Sequence, residues 1–390
     1  METLVACLGQ VYGNASSIHH FGQQAKAALD EARSSVAALV GADPSEIVFT
    51  SGGTEADNFA IRGAAEALDA GGRKHLIASA IEHEAILNTL KALARRGWRT
   101  TLLPVDQSGI VSPARLREVI TDETAVVSVM HANNEIGTIQ PIAELAAIAR
   151  GRGALMHTDA VQSVGKIPVD VRALGVDLLS LSAHKFNGPK GAGALWIRRG
   201  TRMQPTVTGG KHERNRRAGT ENVPAIVGMG VAARLASSKM AAEAARVSAL
   251  RDRLEEGILR DVSGTAVNGA RTLRVPNTSN ISFDRVEAES LLIALDLEGV
   301  AVSTGSACSS GTLEPSHVLR AMGLPAHRTQ NSLRFSLGLL STQGDVDRVV
   351  EMLPRLVEKL RGLTRRDSGF GNRDSSARPA SPEAHIPNPR

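Results

Sequence analysis

Two residues at the ends of apolar runs suggest chemistry first. In "ALMHTD" the run closes on Asp159, and in "DLLSLSAHKFNGPKG" it stops just before Lys185. A carboxylate that keeps a pyridine nitrogen protonated and an amine that forms an imine are the two groups pyridoxal phosphate takes from its protein. The interval between them fits one strand–helix–strand unit, which carries both to the same edge of a parallel sheet. Lys185 also fits a solvated surface lysine, but its neighbours His184 and Phe186 and the following "GPKGAG" favour a site.

Three further stretches gain meaning beside that pair. "FTSGGTEADN" turns from strand to helix through Gly52 and Gly53, offering the free N–H groups of a helix start and the Thr54 hydroxyl to a phosphate. Alone it reads equally as a glycine turn with a capping threonine. "IEHEAILNT" opens a helix with His83, and "HANNEIGTIQP" follows a buried run with Asn134. Such residues are ordinarily caps and turn formers. Beside a phosphate loop, an acid and a lysine, His83 can stack on a cofactor ring and carry a proton, and Asn134 can bond substrate or the ring oxygen. Cys308 sits in "VSTGSACSSGTLEPSHVL", a stretch too rich in Gly and Ser to bury a thiol as an apolar side chain.

The elements that must position these residues are legible as an alternation. "EIVFT", "KHLIAS", "TAVVSVM", "ALMHTD", "DLLSLS" and "GALWIR" predict strands, with "TEADNFAIRGAAEAL", "EAILNTLKALARRG" and "IAELAAIARGRG" as helices. That pattern predicts an α/β fold with a mainly parallel sheet. A helix around 225–235, a long amphipathic segment, then "TSNISF", "AESLLIALDLEG" and "NSLRFSLG" predict a smaller C-terminal α/β domain. The expected division is a large domain over 1–233, a small one over 234–363 carrying the Cys308 loop, and a disordered tail over 364–390.

The global numbers exclude other classes. The chain has 390 residues and two cysteines, Cys7 and Cys308, so no disulfide framework exists. No apolar run approaches the roughly 18 residues a membrane helix needs, and the expected location is the cytoplasm. "LVAC" near the start lacks the basic and apolar lengths of a lipoprotein signal, leaving Cys7 an inert thiol at a helix end. From Arg361 onward six arginines face three acids, so +3 of the net charge of +5 lies at and beyond the start of the tail. With 3% aromatics and no basic-aromatic stripe, no nucleic-acid groove is expected.

"SGGTEADN", "EHEAILNT", "NNEIGTIQPI", "TDAVQSVGKIPVD", "LSAHKFNGPKGAGAL", "GGKHERNRRAGTEN" and "STGSACSSGTLEPSHVLRAMG" occur in this order. Together they resemble the cysteine desulfurases of the NifS and IscS type, in the aminotransferase class V, fold type I group. The likeness runs from about Tyr12 to about Leu363. It implies pyridoxal phosphate held on Lys185, with Ser182, His184, Gly53 and Thr54 at the phosphate and Thr220 reaching that site from a second subunit, hence a homodimer. It further implies Asp159 at the pyridine nitrogen, Gln162 at the ring hydroxyl, His83 on the ring face, and Asn134 with Arg334 on the substrate carboxylate.

The same resemblance implies that L-cysteine displaces Lys185, which removes the Cα proton. The Cys308 thiolate then takes the sulfur as a persulfide, and alanine leaves with His83 as proton donor. A mobile loop suits a thiol that must meet substrate inside and an acceptor outside. Such acceptors include iron–sulfur scaffold proteins, and Cys308 can serve as a transient ligand of a cluster but not as a stable metal site. Selenocysteine lyases and thiol-independent class V aminotransferases share the scaffold, and a truncated, non-catalytic sulfur-carrier partner is a third alternative. One departure stands out. The family's segment resembling "YLDNNATT" precedes "YGN-x-SS", whereas here only "METLVACLGQ" does, so the expectation is a truncated start or one at an internal Met, with the fold preserved and the activity an open question.

Overall fold

The computed structural model describes residues 2–69, 71–304 and 315–369, the last six of these by backbone alone. Among them, seven strands form one sheet: β1 (Ile47–Thr50), β2 (His75–Ser79), β3 (Arg99–Leu103), β4 (Thr124–Ser128), β5 (Leu155–Asp159), β6 (Leu178–Ser182) and β7 (Gly193–Ile197). Their spatial order is β1-β7-β6-β5-β4-β2-β3. The β3–β2–β4–β5–β6 pairs are parallel, and β7 runs antiparallel to both neighbours. The continuous apolar runs of β1, β2, β4, β6 and β7 follow from this topology, because helices cover both faces and every residue of those strands is buried. The mixed α/β class with a mainly parallel sheet therefore stands as expected.

β3 was not foreseen from the sequence. "RTTLL" lies at the sheet edge with only Leu103 fully buried, so it lacks the apolar run that marks the central strands.

A second, antiparallel sheet has the order β10-β9-β8, with β8 at Thr265–Asn268, β9 at Thr278–Phe283 and β10 at Ser332–Ser336. Its core includes Ile281, Phe283, Leu291, Leu333 and Leu353, with helices Ala288–Leu297 and Gln343–Gly369 packed on it. The second of these helices continues past 363, where the tail was expected to begin.

One helix, Val223–Asp261, joins both regions. At 1.5 Å per residue its 39 residues span about 58 Å. Ile226, Met229 and Ala233 enter the core of the large sheet, whereas Leu250, Leu254 and Ile258 enter that of the small one. The expected border at 233/234 thus falls inside a single helix. Helix His20–Leu39 packs against its first half, and Gly230 allows the approach: a Cβ there would lie 2.6 Å from Ala32 Cα. The N-terminal Glu2–Gln10 forms a helix that also packs on Val223–Asp261, with Cys7 buried. Among the described residues, no helix is long and apolar enough to cross a membrane.

Candidate active site

The carboxyl ends of the parallel strands converge on a cavity of about 340 Å³. Its floor and walls include Gly53, Thr54, His83, Asn134, Asp159 and Gln162. Ser182, His184, Lys185 and Arg334 complete the set, so ten of the twelve residues singled out from the sequence share one space.

At one end, β1 passes through Gly52 into helix Gly53–Asn58, whose N-cap supplies no side-chain bond. The first N–H groups of that helix therefore remain available to an anion. Gly193 in β7 lets the turn settle on the sheet, because a Cβ there would fall 2.6 Å from the Gly52 backbone. Ser182, at the end of β6, places its hydroxyl 2.9 Å from His184 Nδ1 beside this turn. The helix is continuous through a π-turn, Phe59–Gly63, one residue beyond Asn58. Such single-turn widenings recur at functional sites.

Asp159 closes β5 and accepts a hydrogen bond from the Val161 N–H at 2.8 Å. Burial pushes its carboxyl above the usual range, against the pull of that N–H and of the nearby His83 and Lys185. Asp57, one helical turn after Thr54, also lines the cavity. Burial drives its carboxyl well up, the charge of Asp159 adds to this, and the Ser180 hydroxyl opposes it. Asp57 Oδ1 has no hydrogen-bond partner among the described residues, with His157 Nε2 3.7 Å away. Glu82, buried behind the cavity and bonded by the Met130 N–H at 2.8 Å, is pushed up to about 8 by burial.

Cationic groups face these acids. Lys185 lies in the short 3-10 turn Ala183–Phe186 that leaves β6, a turn ended by Asn187 in the left-handed region (φ 66°). Burial and then the charge of Arg334 lower its amine, with Asp159 opposing. Arg334 projects from β10 of the other sheet, and its Nη1 donates to the Asn134 carbonyl at 2.9 Å. Burial lowers its guanidinium, and its Nε has no partner among the described residues.

His83 is the N-cap of helix Glu84–Ala94, its Nδ1 accepting from the Ala85 N–H at 3.1 Å. An Nδ1 that accepts is unprotonated, so the proton of the neutral ring sits on Nε2. Capping and the role expected of His83 at the cavity are thus compatible, because they use different ring nitrogens.

A model of the aminotransferase class-V family matches residues 1–349. The cysteine desulfurase IscS of Dictyoglomus turgidum is 51% identical over 363 residues, covering 93% of this chain and 92% of that protein. The IscS of Methanosarcina thermophila is 50% identical, covering 93% of this chain and 90% of its own. The chain belongs to the aminotransferase class-V family. Among solved structures, a NifS-like protein superposes with a TM-score of 0.86 at 36% identity, covering 92% of this chain and 95% of that one. SspA in complex with cysteine gives 0.76 at 34% identity, covering 86% of this chain and 94% of its own.

The two remaining predicted residues lie elsewhere. Thr220 borders a separate hollow beside Cys7, Tyr12 and Glu221. Cys308, and with it the expected transient metal ligation, lies outside the described residues. The described residues on either side of its segment are tied at the cavity or just behind it. Ser303 bridges to Arg334, whose N–H donates to the Ser303 carbonyl at 2.6 Å. On the other side the Ser316 hydroxyl donates to Glu135 and His317 Nε2 donates to the Glu82 carbonyl at 2.9 Å. Among the described residues, no group of His, Cys, Asp and Glu has a metal-binding arrangement.

Sequence reasoning missed Asp57, Glu82 and Ser303. Asp57 carried a usable signal, since three residues after Thr54 is one helical turn and the same face.

Proposed function

We propose that the chain is a pyridoxal phosphate-dependent cysteine desulfurase that converts L-cysteine to L-alanine and passes the sulfur through Cys308 to an acceptor. The observation that carries this reading is Lys185, with a lowered amine, sharing one cavity with the buried Asp159.

The residues present fit the cofactor. Asp159 and the partnerless oxygen of Asp57 form a buried acidic floor that calls for a cation, as a protonated pyridine nitrogen is. The uncapped helix start at Gly53 and Thr54, with Ser182 and His184, suits a phosphate. Lys185 would hold the group covalently, and Gln162 would meet its ring oxygen. When bound, pyridoxal phosphate supplies an electron sink for the bond broken at the substrate Cα.

The chain's own residues do the rest. Arg334 and Asn134 orient the substrate carboxylate. Lys185 takes the Cα proton, and the depressed basicity of its amine favours the neutral form that such a base needs. The Cys308 thiolate forms a bond to the substrate sulfur as the substrate carbon–sulfur bond breaks, so cysteine becomes alanine and the enzyme thiol becomes a persulfide. His83 Nε2–H, free of the capping bond, is the proton source at the former Cβ. Ser303, Ser316 and His317, among the described residues nearest Cys308 in the chain, are held by hydrogen bonds at and beside the cavity.

The sulfur goes to an acceptor in the cytoplasm for iron–sulfur cluster assembly or other thiolation, and two chains pair so that Thr220 of each completes the other's phosphate site. The test is alanine and sulfide formation from L-cysteine by the cofactor-loaded protein with a thiol reductant. Stoichiometric alanine without added keto acid is expected. Turnover only in the presence of a keto acid would replace this reading with an aminotransferase, and turnover of selenocysteine alone would replace it with a lyase.

A further inference from the structure

Gln162 lines the active cavity and also a neighbouring cleft of about 470 Å³, into which Lys166 reaches from the next turn of chain. Lys166 Nζ donates to Gln162 Oε1 at 2.8 Å. An ammonium has donors only, whereas an amide has one accepting and one donating end. While Lys166 is protonated, the bond therefore settles which end is which, leaving Gln162 Nε2 as the end free to serve the cavity.

Lys166 has a poor environment for any other duty. Burial and the charges of Lys185 and Arg334 push its amine down to about 7, and no ion pair of Lys166 exists among the described residues. A lysine kept among cations without a carboxylate gains nothing for the fold that a methionine of similar length would not supply.

We propose that Lys166 is a positioning residue that pins the Gln162 amide, so that Nε2 donates to the oxyanion of a hydroxypyridine cofactor instead of presenting its carbonyl to it. This rests on the cofactor reading above and adds the residue that sets the polarity of one contact. A donor at the ring oxygen stabilises its charged form, which weakens the neighbouring imine proton. Loss of the donor therefore raises the pH at which the cofactor's visible band titrates.

The experiment is a spectral pH titration of the cofactor-loaded protein for the parent, Lys166→Met, Gln162→Leu, the double variant and Lys166→Arg. Lys166→Met and Gln162→Leu should each raise the midpoint by about one pH unit. The double variant should rise no further than either alone, because both remove the same bond, and Lys166→Arg should return close to the parent. If Lys166 acted only through its charge, the two shifts would add, and that result overturns the inference. So does an unchanged midpoint in Lys166→Met. A parent that takes up no pyridoxal phosphate would instead bring down the cofactor reading itself. Lys166→Gln serves the same cycle should Lys166→Met not fold.

Discussion

Two buried clusters of charge lie at β1 and its end, and they are built on opposite terms. Beside β1, Arg33 donates from Nη1 and Nη2 to both carboxylate oxygens of Glu213 at 2.8 and 2.7 Å. The same guanidinium reaches the Ile47 carbonyl, lies 4.5 Å over the Phe49 ring, and leaves Glu213 to accept the Phe49 N–H as well. At the cavity, by contrast, carboxylate oxygens go unmet: Asp57 Oδ1 and, behind it, Glu82 Oε2 lack partners among the described residues, whereas the Arg33 and Arg334 guanidiniums each leave Nε unpartnered. Charges of both signs are present there, yet they are carried on different elements, Asp57 on the Gly53 helix and Arg334 on β10. A satisfied carboxylate holds chain in place. Partnerless acids and bases around an open volume are a demand for a ligand that carries both signs.

The first cluster also explains a costly backbone. Glu213, Arg214 and Asn215 all take positive φ, at 43°, 56° and 64°. Each such residue costs on the order of 1 kcal/mol, and the Glu213 carboxylate anchors the turn to β1.

The contrast can be broken at either cluster. The largest effect is expected in the cavity: Lys185→Ala should lower alanine formation by at least about 10³-fold through loss of the base, and borohydride should trap no pyridoxyl group on the protein. Retention of either would separate Lys185 from the chemistry. Next, Glu213→Ala should destabilise the fold by about 3–5 kcal/mol, since it strands a buried guanidinium; chemical denaturation measures this, and a loss below about 1 kcal/mol would show the pair to be incidental. Arg334→Met should raise the KM for L-cysteine by about 10- to 100-fold, the worth of a charge-assisted hydrogen bond, with a smaller change in kcat.

Glu82 gives an effect of slope. Its carboxyl is raised from the ordinary value to about 8 in the fold. The native state thus holds a proton the unfolded chain has lost, and stability falls as pH rises between the two values. Glu82→Gln should flatten that slope by about one proton and stabilise the protein on its alkaline side. Denaturation midpoints across that range that run parallel to the parent would contradict it. The smallest effect belongs to Cys7→Ser, which should leave turnover unchanged and cost at most about 2 kcal/mol for burying a hydroxyl.

The sequence disclosed the buried central strands and the residues at their ends, and hid the half-exposed edge strands β3 and β8 and the helices of low apolar contrast. Asp159 and Lys185 were legible because apolar runs end beside them, as were the central strands themselves. "TAVN" of β8 is too short and half-exposed to carry a pattern. Helix His20–Leu39 was missed because its buried face includes Gly22, Ala25, Ala32 and Ala37, small residues that leave little hydrophobic contrast. Helix Val223–Asp261 was read as two pieces because its buried stripe changes partners between Ala233 and Val247, where one core ends and the other begins. In the site, helical spacing put Asp57 on the face of Thr54, but neither it nor Glu82 gave a sign of its proximity to Asp159, which exists only once β2, β5 and the Gly53 helix are assembled.

The most direct test of the account is alanine formation from L-cysteine by Cys308→Ser, measured on cofactor-loaded protein beside the parent and Cys7→Ser. A hydroxyl is close to a thiol in size but cannot hold a persulfide. The account predicts that Cys308→Ser binds pyridoxal phosphate and L-cysteine with the parent's spectra and melting temperature, while alanine formation falls by about 10²-fold or more. Turnover within about twofold of the parent would contradict it, because the sulfur would then leave without the thiol that defines the proposed reaction.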